Sequence, residues 1–403
     1  MVLPLQLFRT DQGGDPNLVK ESQRRRGRDV DIVDQVVQAD DLLRLAHQQA
    51  TQAHNQRKNL KPKPKHNDTQ DQTSNQLTYK LLKTKIQDLQ KTCWQRRATL
   101  QEKLLQVGNL VHEHSPVPEI LGGTGTQEFT PDCELEPLFA FLADTGWVQS
   151  PLGSSLRSNL WSFVGDGERV ETALLEHART YVEKAGYTML SEPFHSPPQI
   201  VRGLARQLVE RAEVRADEAA GKALNMVSKN PFAAFHSASW LPPKSLPLRY
   251  VYIEQVERRR LMVMEVWPDD DSVWEALQNV AQMGSDLLTA LNLCPEQSEE
   301  LTTSLALEEA RAISLRVRRG DKLIEVGRVA THANFCARRL GVRCGSKQLN
   351  EREKRYVHTI EACLCDPVAI MLALVDAELN GSTPHESAKL ECVPPCLIPF
   401  LPS

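Results

Sequence analysis

Apolar residues recur every seven positions between residues 32 and 107, and this repeat constrains the fold more than any other feature of the sequence. The a and d positions of the first segment hold Ile32, Val36, Ala39, Leu43, Ala46, Ala50, Ala53 and Leu60. Those of the second hold Leu82, Ile86, Leu89, Cys93, Leu100 and Val107, with Arg96 and Lys103 interrupting one series. A polar linker containing Pro62 and Pro64 separates the segments. The pattern predicts an antiparallel helical hairpin, and about 32 residues in each helix give an arm of about 48 Å.

The positive charge of the chain is concentrated on this arm. Residues 20–110 contain 18 Lys and Arg against 10 Asp and Glu, a net charge of +8, and because the whole chain carries -4 the remainder carries -12. A basic rod suits a phosphate backbone. A solvated coiled coil used for protein contacts is the alternative, and a KPKPK run is also typical of a solubilising linker. The candidate phosphate contacts are Arg24, Arg25, Arg26, Lys58, Lys61, Lys63 and Lys65.

The composition predicts a soluble, intracellular protein. A chain of 403 residues is long enough for two or three domains with a substantial core. No run of eighteen apolar residues occurs, and the first residues lack the layout of a signal peptide. Nine scattered cysteines fit a reducing compartment. The spacings Cys363/Cys365 and Cys392/Cys396 lack paired C-x-x-C ligands, so we expect buried thiols and no metal site.

The chain from Gly167 onward alternates between strand and helix patterns. Residues from Gly167 to Gly186 predict an amphipathic helix, followed by a strand in YTMLSEPF. The stretch LMVMEVWPDDDSVWEALQNV predicts a strand, a turn and a helix. Between Leu323 and Ala377, LIEVGRVATHANFCARRLGVRCG predicts a strand at a sheet edge, and YVHTIEACLCDPVAIMLALVDA predicts a long buried helix.

Five segments, spread from one end of the chain to the other, carry a family resemblance. They are LFRTDQGGDPNLVKESQRRRG, VGNLVHEHSPVP, VSKNPFAAFHSASWLPPKSLPLRYVYI, the E-x-x-R strand with its ARR segment, and CVPPCLIPFLPS. Together they resemble the seryl-tRNA synthetases of eukaryotic cytosolic type, which are class II aminoacyl-tRNA synthetases.

The resemblance implies the fold and the partners. We expect an α/β (α+β) protein in which residues 1–117 form the tRNA-binding coiled-coil arm and residues 118–403 form a class II core, an antiparallel sheet flanked by helices. It implies serine tRNA, tRNA(Ser), as a partner of the arm. It also implies a dimer, a homodimer or a heterodimer with an active synthetase, through a motif 1 that ends at Pro193. We expect a cytoplasmic protein without membrane contact.

The departures from the family pattern lie at its chemistry. Val227 and Lys229 stand where the family has a threonine and a glutamate that contact serine, and Glu361 stands where it has a serine-binding asparagine. Arg328 replaces the serine of E-x-x-S, and Ala369 replaces the motif 3 arginine.

Motif 2 is also incomplete. The family's F-R-x-E strand end, whose arginine holds the α-phosphate of ATP, and the loop after it are absent, because the chain passes from Tyr252 almost directly to Gln255. Two remnants of the substrate and ATP site stay: Glu257, which resembles a serine-binding glutamate, and Glu325, which matches a position that contributes to ATP binding.

These substitutions predict a degenerate synthetase core. Losing one preorganised charge stabiliser lowers a rate on the order of 10²–10³-fold, and several are replaced here. We therefore expect a non-catalytic protein that binds tRNA(Ser), an active synthetase protomer, or both. ATP and Mg²⁺ are expected only if activity is retained. The alternatives are an active serine–tRNA ligase in which residues from Arg258 to Arg260 replace the absent arginine, and a coiled-coil interaction scaffold.

Overall fold

The protein divides into two compact units, residues 1–110 and 111–403. The structure, a computed structural model, describes residues 3–59, 69–118, 146–149, 162–190, 195–196, 216–217, 222–224, 235–254, 259–268, 271–319, 322–345, 355–379 and 393–401. The unit boundary lies seven residues before the one expected from the sequence. Residues 111–116 bond within the second unit, since the His112 amide donates to the Ala310 carbonyl at 3.0 Å and the Thr302 amide donates to the Pro116 carbonyl at 2.9 Å.

The first unit is a helical hairpin preceded by a short helix. Its helices are α1 (Pro16–Arg25), α2 (Asp31–Asn59) and α3 (Thr69–Leu104). Helix α1 begins after Asp15, whose side chain accepts a hydrogen bond from the Asn17 amide and caps the helix.

Contacts between α2 and α3 run in opposite directions along the two helices. Lys103 Nζ donates to Gln35 Oε1 at 2.6 Å, and Arg96 donates to the Leu42 carbonyl at 2.5 Å, so positions rising along α2 meet positions falling along α3. The seam residues of the heptads are buried at Ile32, Val36, Ala39, Leu43, Ala46, Ala53, Ile86, Cys93 and Leu100. The predicted antiparallel arm is confirmed.

The second unit is built on a seven-stranded sheet. The helices of this unit are α4 (Asp166–Lys184), α5 (Ser272–Ala290), α6 (Phe335–Leu340) and α7 (Pro367–Leu379). Its strands are β1 (Val148–Gln149), β2 (Ser162–Phe163), β3 (Thr188–Met189), β4 (His195–Ser196), β5 (Ala216–Asp217), β6 (Lys222–Leu224), β7 (Trp240–Leu241), β8 (Leu248–Glu254), β9 (Arg260–Trp267), β10 (Pro295–Glu299), β11 (Arg311–Arg319), β12 (Lys322–Ala333), β13 (Arg343–Cys344), β14 (Arg355–Tyr356) and β15 (His358–Cys365).

The large sheet has the order β10-β11-β12-β15-β9-β8-β3. Every pairing in it is antiparallel except that of β3 with β8. Apolar residues of one face, among them Leu261, Val263 and Ile360, share a single buried core with residues of α4, α5 and α7. The predicted sheet with flanking helices is therefore confirmed, as are the helix of residues 166–184 and the strand, turn and helix that begin at Arg260.

Two details of the stretch from Leu323 to Ala377 were wrong. Strand β12 lies inside the sheet rather than at its edge, because it pairs with both β11 and β15. The expected long helix is instead strand β15 followed by α7. In this stretch Val357, Ile360, Leu364 and Val368 fall three and four positions apart, a spacing that also fits one face of a helix. Pro367 at the first helical position marks where the change occurs.

No helix in the described part of the chain combines the length and apolarity needed to cross a membrane.

We expect the heptad seam to determine the stability of the arm. Leu100 is 2% exposed, whereas Leu81 of the same helix is 63% exposed. Substituting Leu100→Ala should lower the free energy of unfolding by about 2–5 kcal/mol, because it removes buried methyl groups and leaves a cavity. Leu81→Ala is the matched control and should change it by less than about 0.5 kcal/mol. Urea unfolding followed by circular dichroism measures both, and equal effects would contradict the seam assignment.

Candidate functional site

The sheet face that points away from α4, α5 and α7 carries a row of charged side chains. Side chains alternate between the two faces of a strand, and directly opposed residues share a face. Leu261 and Val263 of β9 lie in the helix-covered core, so Arg260, Met262 and Met264 lie on the other face. Through the strand register this second face, here called the polar face, includes Glu254, Tyr252, Glu361, Cys363, Arg328 and Ser314.

A β-bulge brings Glu325 and Arg328 to the polar face together. Two residues three apart would lie on opposite faces of a regular strand. The register shifts at this point, since Leu315 opposes Gly327 and Arg316 opposes Glu325, which leaves Val326 as the extra residue. A Cβ at Gly327 would lie 2.8 Å from the Cys363 carbonyl oxygen, so the close approach of β12 and β15 here requires glycine.

Arg328 is held by two buried carboxylates. Its guanidinium donates to Glu309 through Nε at 3.2 Å and Nη2 at 2.8 Å, and Nη1 lies 3.5 Å from a carboxylate oxygen of Glu300. Glu300 and Glu309 are 5% and 7% exposed. Burial alone would raise the pKa of Glu309, but the charge of Arg328 and its hydrogen bonds outweigh burial and lower that pKa. The carboxylates in turn raise the pKa of Arg328 against the effect of burial.

Glu325 belongs to the same network. It accepts a hydrogen bond from Ser314 Oγ at 2.8 Å and lies 4.0 Å from the guanidinium of Arg316, which also bonds to Glu300. Burial raises the pKa of Glu325, more than the nearby Arg328 and the Ser314 bond lower it. Its bonding partner is thus a hydroxyl, while the hydrogen bonds of Arg328 go to Glu309 and to a backbone carbonyl.

Glu361 lies at the middle of the polar face. The Tyr252 hydroxyl donates to Glu361 Oε1 at 2.7 Å, and His332 Nε2 lies 4.0 Å from Oε2. Burial lowers the pKa of His332, which favours the neutral imidazole at neutral pH. Glu361 therefore has protein partners on two strands.

The hairpin that joins β8 to β9 separates two arginines. Glu254 opposes Arg260 and bonds to it on the polar face. Arg259 instead reaches α4, where it lies 3.4 Å from Glu171 and 3.3 Å from the Thr172 hydroxyl. Of the described residues proposed to replace the absent motif 2 arginine, only Arg260 lies on the face that also carries Glu325 and Arg328.

Ala369 lies in the apolar layer. It is 7% exposed on α7, and Ile370, Leu372 and Ala373 beside it are also buried, as the sequence predicted. Its amide donates to the Asp366 side chain at 3.3 Å, so this carboxylate caps the start of the helix. The side chain of Ala369 brings no polar atom to the position of the family's arginine.

The predicted phosphate contacts of the arm differ in exposure. Arg24 and Lys58 are exposed, with Arg24 in an ion pair with Glu21, and Arg25 is half-buried. Arg26 is 3% exposed, and its Nε donates to the Asn109 carbonyl at 3.1 Å. Arg26 is therefore buried at the base of the arm, unlike the exposed candidates Arg24 and Lys58.

Several predicted residues lie outside the described part of the chain. These are Val227, Lys229, Glu257, Arg258, Pro193, Lys61, Lys63, Lys65 and Cys392. Cys365 is buried, and Cys363 and Cys396 are partly buried free thiols. Within the described residues, no group of three or more His, Cys, Asp or Glu side chains is arranged to hold a metal ion.

Sequence reasoning missed much of the network. Glu300, Glu309, Ser314, Arg316 and His332 were not predicted as site residues. The alternation of Ser314 and Arg316 with Ile313, Leu315 and Val317 was the available signal, because polar residues at every second position of an apolar strand indicate a polar second face.

Comparisons with known proteins support the resemblance. Residues 2–111 match the family described as the seryl-tRNA synthetase N-terminal domain. The chain is 27% identical over 399 residues to the cytoplasmic serine–tRNA ligase of Arabidopsis thaliana, covering 90% of this chain and 88% of that protein.

Two solved structures share the fold. The cytoplasmic serine–tRNA ligase of Naegleria fowleri, in complex with AMP, superposes with a TM-score of 0.75 at 20% identity and covers 100% of this chain and 97% of its own. The seryl-tRNA synthetase of Pyrococcus horikoshii, complexed with ATP, superposes with a TM-score of 0.75 at 16% identity. The match covers 99% of this chain and 98% of that protein. The expected class II fold is confirmed.

Removing the guanidinium of Arg328 should destabilise the polar face. Arg328→Met leaves Glu309 and Glu300 buried with fewer cationic partners, and we expect a loss of about 3 kcal/mol at neutral pH. In the wild type the lowered pKa of Glu309 gives stability that is present above the usual carboxyl pKa and lost as the pH falls through the folded value. In the variant, burial without Arg328 raises the pKa of Glu309, so the stability of the variant falls as the pH rises through that pKa. The free energies of unfolding of the two proteins should therefore become similar in acid.

The matched control is Arg318→Met. Arg318 pairs with Glu296 at 2.9 Å, but both side chains are about half exposed, at 57% and 46%. This pair should contribute less than about 1 kcal/mol. Urea unfolding at neutral pH and near pH 4 measures both variants, and a pH-independent loss in Arg328→Met would contradict the role of Glu309.

Proposed function

We propose, from the similarity of this chain to the seryl-tRNA synthetases, that it binds tRNA(Ser), an active synthetase protomer, or both, and that it does not form seryl-adenylate. The observation that carries the proposal is the pairing of Arg328 with Glu309 and Glu300 on the polar face. The function is then one of binding, and the core is a degenerate synthetase core.

Arg328 changes what the polar face can accept. In the resembled family this position is a serine, whose small hydroxyl leaves room beside the substrate. Here a guanidinium fills the position and is bonded to the protein's own carboxylates. A ligand would have to displace these bonds, and the desolvated carboxylates would then lose their cation. This pairing supports the proposal that the position of the family's serine hydroxyl is no longer open to a substrate.

Two positions linked to phosphate chemistry in the family offer no free donor among the described residues. Ala369, in the apolar layer, has no side-chain donor, and Arg260 on the polar face is bonded to Glu254. Each lost stabiliser of transition-state charge costs on the order of 10²–10³ in rate. These costs do not simply add, but two are enough to bring adenylate formation close to background. ATP and Mg²⁺ would be ligands only if activity were retained.

The arm supports an RNA-binding role. It carries a net charge of +8 on a rod whose apolar seam is buried, and Lys58 and Arg24 remain exposed. A folded basic rod meets a phosphate backbone without a large ordering cost. We propose a cytoplasmic protein that acts as a homodimer or as a heterodimer with an active synthetase, in keeping with the cytoplasmic relative of Arabidopsis thaliana.

An active serine–tRNA ligase is the second candidate. The observation that favours it is the position of Arg260 on the polar face, where it could replace the absent motif 2 arginine. A coiled-coil scaffold that contacts only proteins is the third candidate. Measurements of activity and of RNA binding distinguish the three.

The purified chain should show no serine-dependent ATP–pyrophosphate exchange. We expect a rate at least about 10³-fold below that of an active seryl-tRNA synthetase assayed beside it, because more than one charge stabiliser is absent. If the chain instead shows exchange at a synthetase-like rate, and Arg260→Ala abolishes that exchange, the active serine–tRNA ligase is supported. Arg318→Ala is the control, since Arg318 lies on β11 with its side chain 57% exposed.

Binding of tRNA(Ser) should depend steeply on salt. With about four phosphate contacts, affinity should fall about 100-fold between 50 and 200 mM salt. Lys58→Glu should weaken binding and reduce the salt slope by about one or more. The control Lys184→Glu changes an exposed lysine at the end of α4, outside the arm, and should leave the slope unchanged. Absence of salt-dependent binding would favour the scaffold.

A further inference from the structure

A small three-stranded sheet outside the polar face carries an alternating row of arginines and aromatic rings. The sheet has the order β14-β13-β7, and Arg343 of β13 lies directly opposite Tyr356 on one side and Trp240 on the other. The guanidinium carbon of Arg343 lies 4.9 Å from the centre of the Trp240 ring. That of Arg338, at the end of α6, lies 4.7 Å from the centre of the Tyr356 ring. We call the row Arg338, Tyr356, Arg343 and Trp240 the arginine–aromatic ladder.

The ladder has a rigid support. The neighbouring residues Cys344 and Leu241 point to the other side of the small sheet, into a buried cluster with Tyr252 and Met264 of the large sheet. Backbone bonds fix the strands, since the Arg343 amide donates to the Ser239 carbonyl at 3.0 Å and the Gly345 amide donates to the Leu241 carbonyl at 2.9 Å. All four ladder side chains are half-buried, so their backbone is anchored while part of each side chain stays accessible.

The segments that form and surround the ladder are rich in basic residues. Residues 235–250, 334–345 and 355–358 contain no Asp or Glu, whereas they contain Lys244, Arg249, Arg338, Arg339, Arg343 and Arg355. Arg249 pairs with Glu265 of β9 at 3.0 Å, so it belongs to the large sheet rather than to the ladder. The Nε atoms of Arg339 and Arg343 are buried and have no hydrogen-bond partner among the described residues. Burial lowers the pKa of Arg339, which indicates that nearby anions do not offset its desolvation.

This arrangement has the chemistry of a single-stranded nucleic acid site. A guanidinium stacked on a ring keeps its N–H groups in the plane, where they can donate to phosphate oxygens. Aromatic rings that alternate with cations offer stacking surfaces for bases, and such surfaces bind single strands with little dependence on sequence.

We propose that the arginine–aromatic ladder is a contact surface for single-stranded RNA, with phosphates at Arg343 and Arg339 and a base stacked at Trp240. The surface lies in the second unit and does not depend on the arm or on tRNA binding by it. It gives the chain a second RNA contact with no role for the polar face.

Binding of a fluorescently labelled single-stranded RNA 12-mer to the full chain tests the proposal. Arg343→Gln and Trp240→Leu should each weaken binding at least about tenfold, because one phosphate contact or one stacked base is lost. Arg355→Gln changes an exposed residue of the same sheet, so it removes a positive charge without disturbing buried packing. It should weaken RNA binding about threefold. Arg318→Gln is the matched control and should bind within about twofold of wild type.

Three results would overturn the proposal. One is wild-type affinity in Arg343→Gln and Arg355→Gln. Another is weaker RNA binding by Arg343→Gln but not by Trp240→Leu, together with competition by heparin as strong as that by unlabelled RNA. This result would indicate a non-specific polyanion contact. The third is a loss caused by Lys58→Glu alone, which would place the RNA on the arm. If Lys58→Glu loses tRNA(Ser) binding but still binds the 12-mer, the RNA contact at the ladder is supported. The same result would show that this contact is separate from the function proposed for the arm.

Discussion

The pairing of Arg328 with Glu309 determines the character of the polar face. Two carboxylates, Glu300 and Glu309, lie almost completely buried there, and a buried carboxylate is tolerated only beside a cation or a set of donors. Arg328 reaches both of them, and Arg316 reaches Glu300 from the neighbouring strand. The face is stable because its charges satisfy one another. For the same reason it has little left to offer a charged ligand.

This network depends on one backbone irregularity. Without the extra residue at Val326, Glu325 and Arg328 would point to opposite sides of β12, and one of them would enter the apolar layer beneath the helices. Gly327 makes the irregularity possible, because it lets β12 approach the Cys363 carbonyl closely. A local feature of three residues thus places a charged network on one face and keeps the other face apolar.

The sequence predicted what local pattern determines and failed where distant contacts decide. The heptads of the arm and the amphipathic helix α4 follow from periodicity, and the family resemblance supplied the class II fold. Strand β15 was taken for a helix because its buried residues Ile360 and Leu364 continue, at a spacing of four, to Val368 of α7, which fits one face of a helix. The partners of Arg328 could not be predicted, because a loop carries Glu309 to it and only the fold brings them together. The burial of Arg26 could not be predicted either. It follows Arg24 and Arg25 in the sequence, and the sequence does not show that Arg26 alone closes the end of a helix by bonding to Asn109.

The proposed loss of catalysis need not lower the stability of a protein built in this way. The apolar layer of Leu261, Val263, Ile360 and the helices holds the large sheet together, and the substituted position Ala369 adds to that layer rather than interrupting it. The arm has its own buried seam, so its stability rests on contacts between α2 and α3. Substitutions on the polar face therefore change what the core can bind while leaving the forces that fold both units in place. The contacts that fold the arm are thus physically separate from the charged network of the core, and the function proposed for the chain depends on this separation.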